Sequence, residues 1–165
     1  MKKYKLTDEC ITIGEHKLYR IEALKDFGDV HKGDKGGFIG SEVNLSQYGD
    51  CWVCGDAEVC GNARVCGNAE VWGNAEVCGN AEVCGNARVF GDAEVVNNAD
   101  YIVFKNWWSS GRYFTWTRSN NMWRVDCFYG TGEELIAKAY KDSELSGREY
   151  ERVVKYVESI LKDNK

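Results

Sequence analysis

The chain has 165 residues, with 21 Lys+Arg against 26 Asp+Glu and a net charge of -5. That length allows one domain or two small ones, and the mild acidity argues against a general nucleic-acid coat or a binder of anionic membranes. No apolar run reaches the roughly 18 residues of a membrane-crossing helix.

The opening "MKKYKLTDEC" is basic without an apolar stretch behind it, so no secretory signal is expected. The expected location is cytoplasmic, with the eight cysteines as thiols rather than a disulfide framework. Proline is absent, which suits a chain whose backbone N–H groups are nearly all needed in ladders.

Residues 1–42 read as an N-terminal cap. "CITI" and "KLYRIEAL" flank "GEH", the pattern of a hairpin. "KDFGDVHKGDKGGFIG" follows as a glycine-rich loop into the next segment. It lacks the G-x-x-x-x-G-K-[ST] spacing of a phosphate-cradling loop.

Residues 43–102 repeat a six-residue unit. The copies run from "GDCWVC" at Gly49 through "GDAEVC" at Gly55 to "GDAEVV", with a weak copy "VNLSQY" before them and a degenerate "NNADYI" after. Ala and Val lie two apart with a charge between, so Ala and Val point in while Glu or Arg points out. The Gly-Asn or Gly-Asp pair supplies a corner. Short strands of this kind bury an apolar face only by stacking.

The unit resembles the hexapeptide repeat of left-handed parallel β-helix proteins, in which three hexads form one coil and residues 18 apart stack. On that resemblance Val53 through Val95 and Ala57 through Ala99 line the interior. Glu70 meets Arg88, Arg64 meets Glu82, and Glu58, Glu76 and Glu94 form one column. The column is either screened by water and salt or turned to a basic partner. The outward apolar columns are Cys54, Trp72 and Phe90; Cys60, Cys78 and Val96; and Tyr48, Cys66, Cys84 and Ile102. Stripes this extensive need cover, and the resemblance implies a homotrimer, with Cys54, Trp72, Phe90 and Trp108 expected at its interface.

"CWVC", Cys51 to Cys54, reads as packing rather than a redox motif, because Cys51 replaces an inward Ala while Cys54 points out. Cys60/Cys78 and Cys66/Cys84 should stack as apolar filler, although their spacing permits disulfides. No histidine accompanies any cysteine at zinc-ligand spacing, so no metal or other cofactor is expected. Hexapeptide-repeat proteins include acyltransferases, which implies a catalytic histidine near the coils. This chain has only His16 and His31, both ahead of the repeat, and the expectation is a protein that is not an enzyme.

Residues 103–165 change character. "YIVFKNWW", "RYFTWTRS" and "MWRVDCFY" read as a three-stranded antiparallel meander. "TGEEL" offers a capping box between Thr131 and Glu134 for a helix bearing Leu135, Ile136, Ala139 and Tyr140. "SGRE" reads as the cap of a second helix with Tyr150, Val153, Val154, Val157, Ile160 and Leu161 on one face. Fold class is therefore mainly β, a β-helix with a small α+β C-terminal domain. A capped hexapeptide β-helix followed by "CFYGTGEEL" and "GREY" resembles a family of uncharacterised bacteriophage and prophage proteins.

Charge divides along the chain. Residues 49–100 hold two Arg against nine Asp+Glu, a net of -7, whereas residues 101–130 hold Lys105, Arg112, Arg118 and Arg124 against Asp126, a net of +3. Arg112, Phe114, Trp116 and Arg118 alternate onto one strand face. Arginine with aromatic rings suits a nucleotide, guanidinium on phosphate and ring on base; for Phe114 and Trp116 the favoured alternative is that the rings form the small domain's core and the arginines edge it. The expected ligand-binding residues are Arg112, Trp116, Arg118 and Arg124. The expected partners are other copies of the chain and a nucleotide-like molecule or a host protein, with no membrane and no long nucleic acid. A counter-defence protein acting in the host bacterial cytoplasm is the leading expectation, followed by a virion component and then an acyltransferase.

Overall fold

The computed structural model describes residues 1–164. Two long strands open the chain. β1 (Tyr4–Ile13) and β2 (His16–Ala23) pair antiparallel, with Ile13 opposite His16 across a turn in which Gly14 has φ +58°. β3 (Lys35–Ile39) pairs antiparallel with β2 and parallel with the solenoid, and a 3-10 turn follows at Glu42–Asn44.

The hexads then give eight two-residue strands: β4 (Trp52–Val53), β5 (Glu58–Val59), β6 (Arg64–Val65), β7 (Glu70–Val71), β8 (Glu76–Val77), β9 (Glu82–Val83), β10 (Arg88–Val89) and β11 (Glu94–Val95). At each corner a glycine, from Gly49 to Gly91, has φ between +63° and +71°, a region open to glycine at little cost. Each strand pairs in parallel with the third strand along. This gives the faces β4-β7-β10, β6-β9 and β5-β8-β11, the last extended through β3 to the hairpin. The result is a parallel β-solenoid of about three turns.

Its interior is two residue types in columns. Val53 to Val95 and Ala57 to Ala93 are fully buried at every repeat. Each such valine contributes roughly 1.5–3 kcal/mol relative to exposure. At the outward positions Trp52, buried under Tyr4 and Phe27, is in register with Glu70 and Arg88, as are Arg64 with Glu82, and Glu58, Glu76 and Glu94.

A stack of parallel coils ends in unpaired backbone, and the two ends differ chemically. Within the stack each coil donates its N–H groups to carbonyls of the next, as Glu58 does to Ala75 and Glu76 to Ala93. The first coil presents the carbonyls of Gly49, Cys51, Ala57, Gly61 and Ala63, and the last presents the N–H groups of Glu82, Arg88 and Glu94 together with the Glu82 carbonyl. Donors cover the first. Lys3 Nζ reaches the carbonyls of Cys51 (2.8 Å) and Gly49 (3.3 Å), Asn44 Nδ2 those of Ala63 and Gly61, and Phe38 N–H that of Ala57. Acceptors and one donor cover the last, the Tyr101 hydroxyl giving its hydrogen to the Glu82 carbonyl at 2.6 Å. Asn98 Oδ1 takes the Glu82 N–H, Thr115 Oγ1 the Arg88 N–H and Ser119 Oγ the Glu94 N–H, at 2.7–2.9 Å. Open strand edges invite association with another chain, and these caps close them.

Thr115 and Ser119 belong to the C-terminal unit. Its sheet has four antiparallel strands, not three: β12 (Tyr101–Lys105), β13 (Tyr113–Thr117), β14 (Met122–Val125) and β15 (Phe128–Gly130). "MWRVDCFY" folds back on itself at Asp126, whose φ of +54° makes the turn; a single extended run was the expectation. α1 (Gly132–Asp142) starts in a reciprocal capping box, Thr131 Oγ1 accepting from the Glu134 N–H and Glu134 Oε2 from the Thr131 N–H. α2 (Glu144–Asp163) begins earlier than "SGRE" suggests. Ser143 caps it, and Gly147 lies inside it because Tyr140 of α1 packs where a Cβ would stand. Phe114, Trp116 and Trp123 of the sheet bury against Leu135, Ala139, Tyr150, Val154 and Val157 of the helices. No described helix is long and apolar enough to cross a membrane.

Cys66 and Cys84 are joined in a disulfide, which corrects the expectation of thiols. Adjacent coils hold their Cα atoms 4.7 Å apart, inside the range that a disulfide spans. Cys60 and Cys78 stand in the same relation on the next face and are free.

Candidate functional site

The seam between solenoid and C-terminal sheet gathers the most unusual surface chemistry. Residues opposite one another across a sheet share a face. Arg124 lies opposite Thr115 on one side and Tyr129 on the other, and Thr115 bonds the last coil, so Arg124 faces the solenoid. Its guanidinium lies 4.2 Å over the ring of Phe90. Phe90 stacks on Trp72 one coil earlier, with centroids 5.8 Å apart and planes 17° apart, and meets Tyr129 at 5.6 Å. A continuous aromatic column thus runs Trp72, Phe90, Tyr129 from the repeat onto the sheet. The Tyr129 hydroxyl sits directly over Gly91, where a Cβ would collide with it.

Charge at the seam is mixed, with Arg88 and Arg124 beside Glu70 and Asp92. Arg88 pairs with Glu70 at 3.7 Å, both partly exposed. Burial first, then the Arg88 charge, lowers the Arg124 guanidinium from its ordinary value. Its Nε is buried without a hydrogen-bond partner among the described residues. Trp72, 38% exposed, is the open end of the column. Cys54, the coil before Trp72, is half-buried, and burial raises its thiol, with Glu70 and Asp34 adding to the rise. A cation on a ring beside an exposed indole is suited to holding a planar group with an anionic substituent.

The other expected residues lie elsewhere. Arg112 precedes β13 and Arg118 follows it, so the two stand at opposite ends of the strand, and Arg124 occupies the opposite face. The three arginines do not form one cluster. Arg112 is exposed and ion-paired with Asp126. Arg118 donates its backbone N–H to the Asp100 carbonyl, and its Nε is buried. Trp116 is fully buried and donates Nε1–H to Asn121 Oδ1 at 2.8 Å; it is core, with no surface to offer a ligand. Trp108, expected at a subunit interface, packs edge-on against Tyr150 at 4.8 Å and donates to Ser146. Its neighbour Trp107 is the exposed one.

Tyr129 and the Phe90–Arg124 contact were missed in the sequence because they depend on how two units dock. Strand alternation along "MWRVD", which turns Arg124 to the other face of the sheet from Trp123, is the one signal that could have found the contact. His16 and His31 are exposed, in the hairpin and in the loop after it. Among the described residues no group of three or more His, Cys, Asp or Glu is placed to hold a metal ion.

Fold and seam together define a class, a parallel β-solenoid closed at both ends with a sheet-and-helix unit docked on its last coil. No protein-family model matches the chain. Over 61 residues it is 36% identical to a protein of Escherichia coli (strain K12) that bears the name uncharacterized acetyltransferase YdcK. That stretch is 32% of this chain and 19% of that protein, so the chain spans about a fifth of the length of the curated relative it matches.

Proposed function

We propose that the protein is a non-enzymatic binding protein of phage origin. In this reading the solenoid is a left-handed β-helix of 18 residues per coil that assembles as a homotrimer, and the seam holds a nucleotide-like ligand. The supporting observation is the Arg124–Phe90–Trp72 stack. A phosphate would meet Arg124 and Arg88, and a base would stack on the exposed indole of Trp72. Sequestering a host immune nucleotide is the role such a rigid carrier suits. Tyr129 replaces Trp116 in the site, and Arg124 remains its principal cation.

Native mass spectrometry of the full chain with cyclic nucleotides and ADP-ribose tests this. Retention of one of them by the wild type, and its loss in Arg124→Ala, is the expected result. No retention of any would overturn the reading.

The similarity to a protein named as an acetyltransferase favours a second reading, an acyltransferase. The coils carry no histidine, so a base within reach of an acceptor would have to come from another residue type. Turnover of acetyl-CoA by the purified chain would establish this reading over the first.

A further inference from the structure

A second cleft, of about 180 Å³, lies between the C-terminal sheet and the helix pair, away from the seam. Phe114, Leu135 and Ala139 form its apolar wall, and all three are buried. A cleft of that volume has room for a ligand of small-metabolite size.

Two polar side chains, each more than nine-tenths buried, line it. Asn106 Nδ2 donates to the Tyr150 hydroxyl at 3.1 Å, while Asn106 Oδ1 accepts from both the N–H and the hydroxyl of Ser109. The amide orientation is fixed by those two donors. The tyrosine hydroxyl is occupied as an acceptor, and its own hydrogen has no acceptor among the described residues. The second Asn106 Nδ2 hydrogen is likewise unspent. Burial, with the charges of Asp142 and Asp126 adding to it, raises the Tyr150 hydroxyl above its ordinary value, and like any tyrosine it is a donor at neutral pH. Two idle donors beside the apolar wall of Phe114, Leu135 and Ala139 suit a carboxylate.

The remaining charges are balanced. Arg112 and Lys138 face Asp126 and Asp142 among the lining residues, so a purely anionic or cationic molecule gains little from the local field. Asp142 is the last residue of α1. A carboxylate there meets the negative end of the helix, which the fold does not favour. Its partner Lys138 is exposed and 3.4 Å away, a pairing of small worth. A ligand ammonium would use Asp142 well.

We propose that this cleft binds a free α-amino acid with a small apolar side chain. Its carboxylate meets Tyr150 and Asn106, its ammonium meets Asp142, and its side chain rests on Phe114 and Leu135. The site is independent of the nucleotide reading of the seam.

Saturation-transfer NMR on the full chain tests it with three probes at equal millimolar concentration: L-valine, isovalerate, which lacks the ammonium, and isobutylamine, which lacks the carboxylate. L-valine should bind about tenfold more tightly than either. Asp142→Asn should bring L-valine down to the level of isovalerate without lowering the melting temperature. Tyr150→Phe should weaken L-valine and isovalerate alike, and should that variant not fold, Asp142→Asn carries the test. No signal from L-valine, equal binding of the three probes, or an unchanged L-valine affinity in Asp142→Asn overturns the proposal.

Discussion

The ammonium of Lys3 lies 2.8 Å from the carbonyl oxygen of Cys51 and 3.3 Å from its sulfur, with both side chains sealed from solvent. This lysine is the plug of the solenoid's carbonyl end. Its ammonium lies over the ring of Phe27, 4.9 Å from the centroid, and its donors satisfy the backbone carbonyls of Gly49 and Cys51. Lys3→Met keeps the stem and removes the donors. The unpaired carbonyls should cost about 1–3 kcal/mol, read as a lower urea midpoint with unchanged slope. Desolvation holds the Lys3 pKa below its ordinary value of 10.5, against the opposing pull of Cys51. The unfolded chain therefore binds the proton more readily. The wild type should gain on Lys3→Met as pH rises through the window just below 10.5. A difference between the two that stays flat across that window would show that Lys3 is not desolvated.

The glutamate column gives a second pH dependence of opposite sign. Glu58, Glu76 and Glu94 are in register on adjacent strands. Burial first, then the Glu76 charge, raises the Glu58 carboxyl above its ordinary value. A raised acid favours folding below its unfolded pKa, and that contribution is lost as pH rises through the folded pKa. Glu76→Gln should raise the melting temperature at neutral pH and low salt, and the gain should vanish in acid and in high salt. Val77→Asp, one residue on, buries a charge in the column of valines and should unfold the solenoid. Equal effects of the two substitutions in a thermal melt would contradict the alternation of inside and outside.

How far the sequence could be read follows from the range of the interactions involved. Ala57 through Ala93 and Val53 through Val95 were legible as interior because period-two alternation is a local property that needs no tertiary knowledge, whereas Ala99, expected in the same column, is exposed in the 3-10 turn Asn98–Asp100 that ends the repeat. The parallel pairing of every third hexad was implied by the resemblance to hexapeptide-repeat β-helices rather than by the alternation itself. Local reading also worked for Thr131 and Glu134, whose cap spans three residues. It failed where two solutions share one pattern. Trp116 alternates with Arg112 and Arg118, and nothing local says whether helices will cover that face. They do, because Leu135 and Val154 need a surface of equal size. The turn at Asp126 was hidden because aspartate adopts positive φ only occasionally.

The two stacked cysteine pairs should behave differently. The disulfide Cys66–Cys84 closes a loop of 18-residue separation, for which loop closure predicts about 3 kcal/mol of stabilisation. Wild-type protein should melt lower after reduction, whereas the Cys66→Ser, Cys84→Ser double variant should melt at that lower temperature with or without reductant. Burial raises the thiols of Cys60 and Cys78 above their ordinary value, which lowers their thiolate fraction. Alkylation followed by mass spectrometry should find the exposed Cys10 and Cys127 modified first and the fully buried Cys51 last. Early labelling of Cys60 would show that its face opens in solution.

Trp72 separates assembly from ligand binding. Its ring is stacked on Phe90 yet more than a third exposed, whereas Phe90 is partly covered within the chain by Arg124 and Tyr129. A trimer built on this column would bury Trp72 between subunits, so Trp72→Glu would set a charge against apolar surface at each contact. Light scattering should then show a shift toward monomer, and native mass spectrometry should show loss of the nucleotide as well. Arg124→Ala should lose the nucleotide alone, by tenfold or more, since a hydrogen bond to a charged group is worth about 1.5–3 kcal/mol. Arg124→Lys should recover only part of it, because an ammonium cannot reproduce the planar fork or its stacking on a ring. Assembly unchanged in Trp72→Glu, with the nucleotide lost, would assign the column to the ligand and leave the subunit contact to another face. A wild type that is monomeric at high concentration would remove the trimer from the proposal and leave the seam as a site complete within one chain.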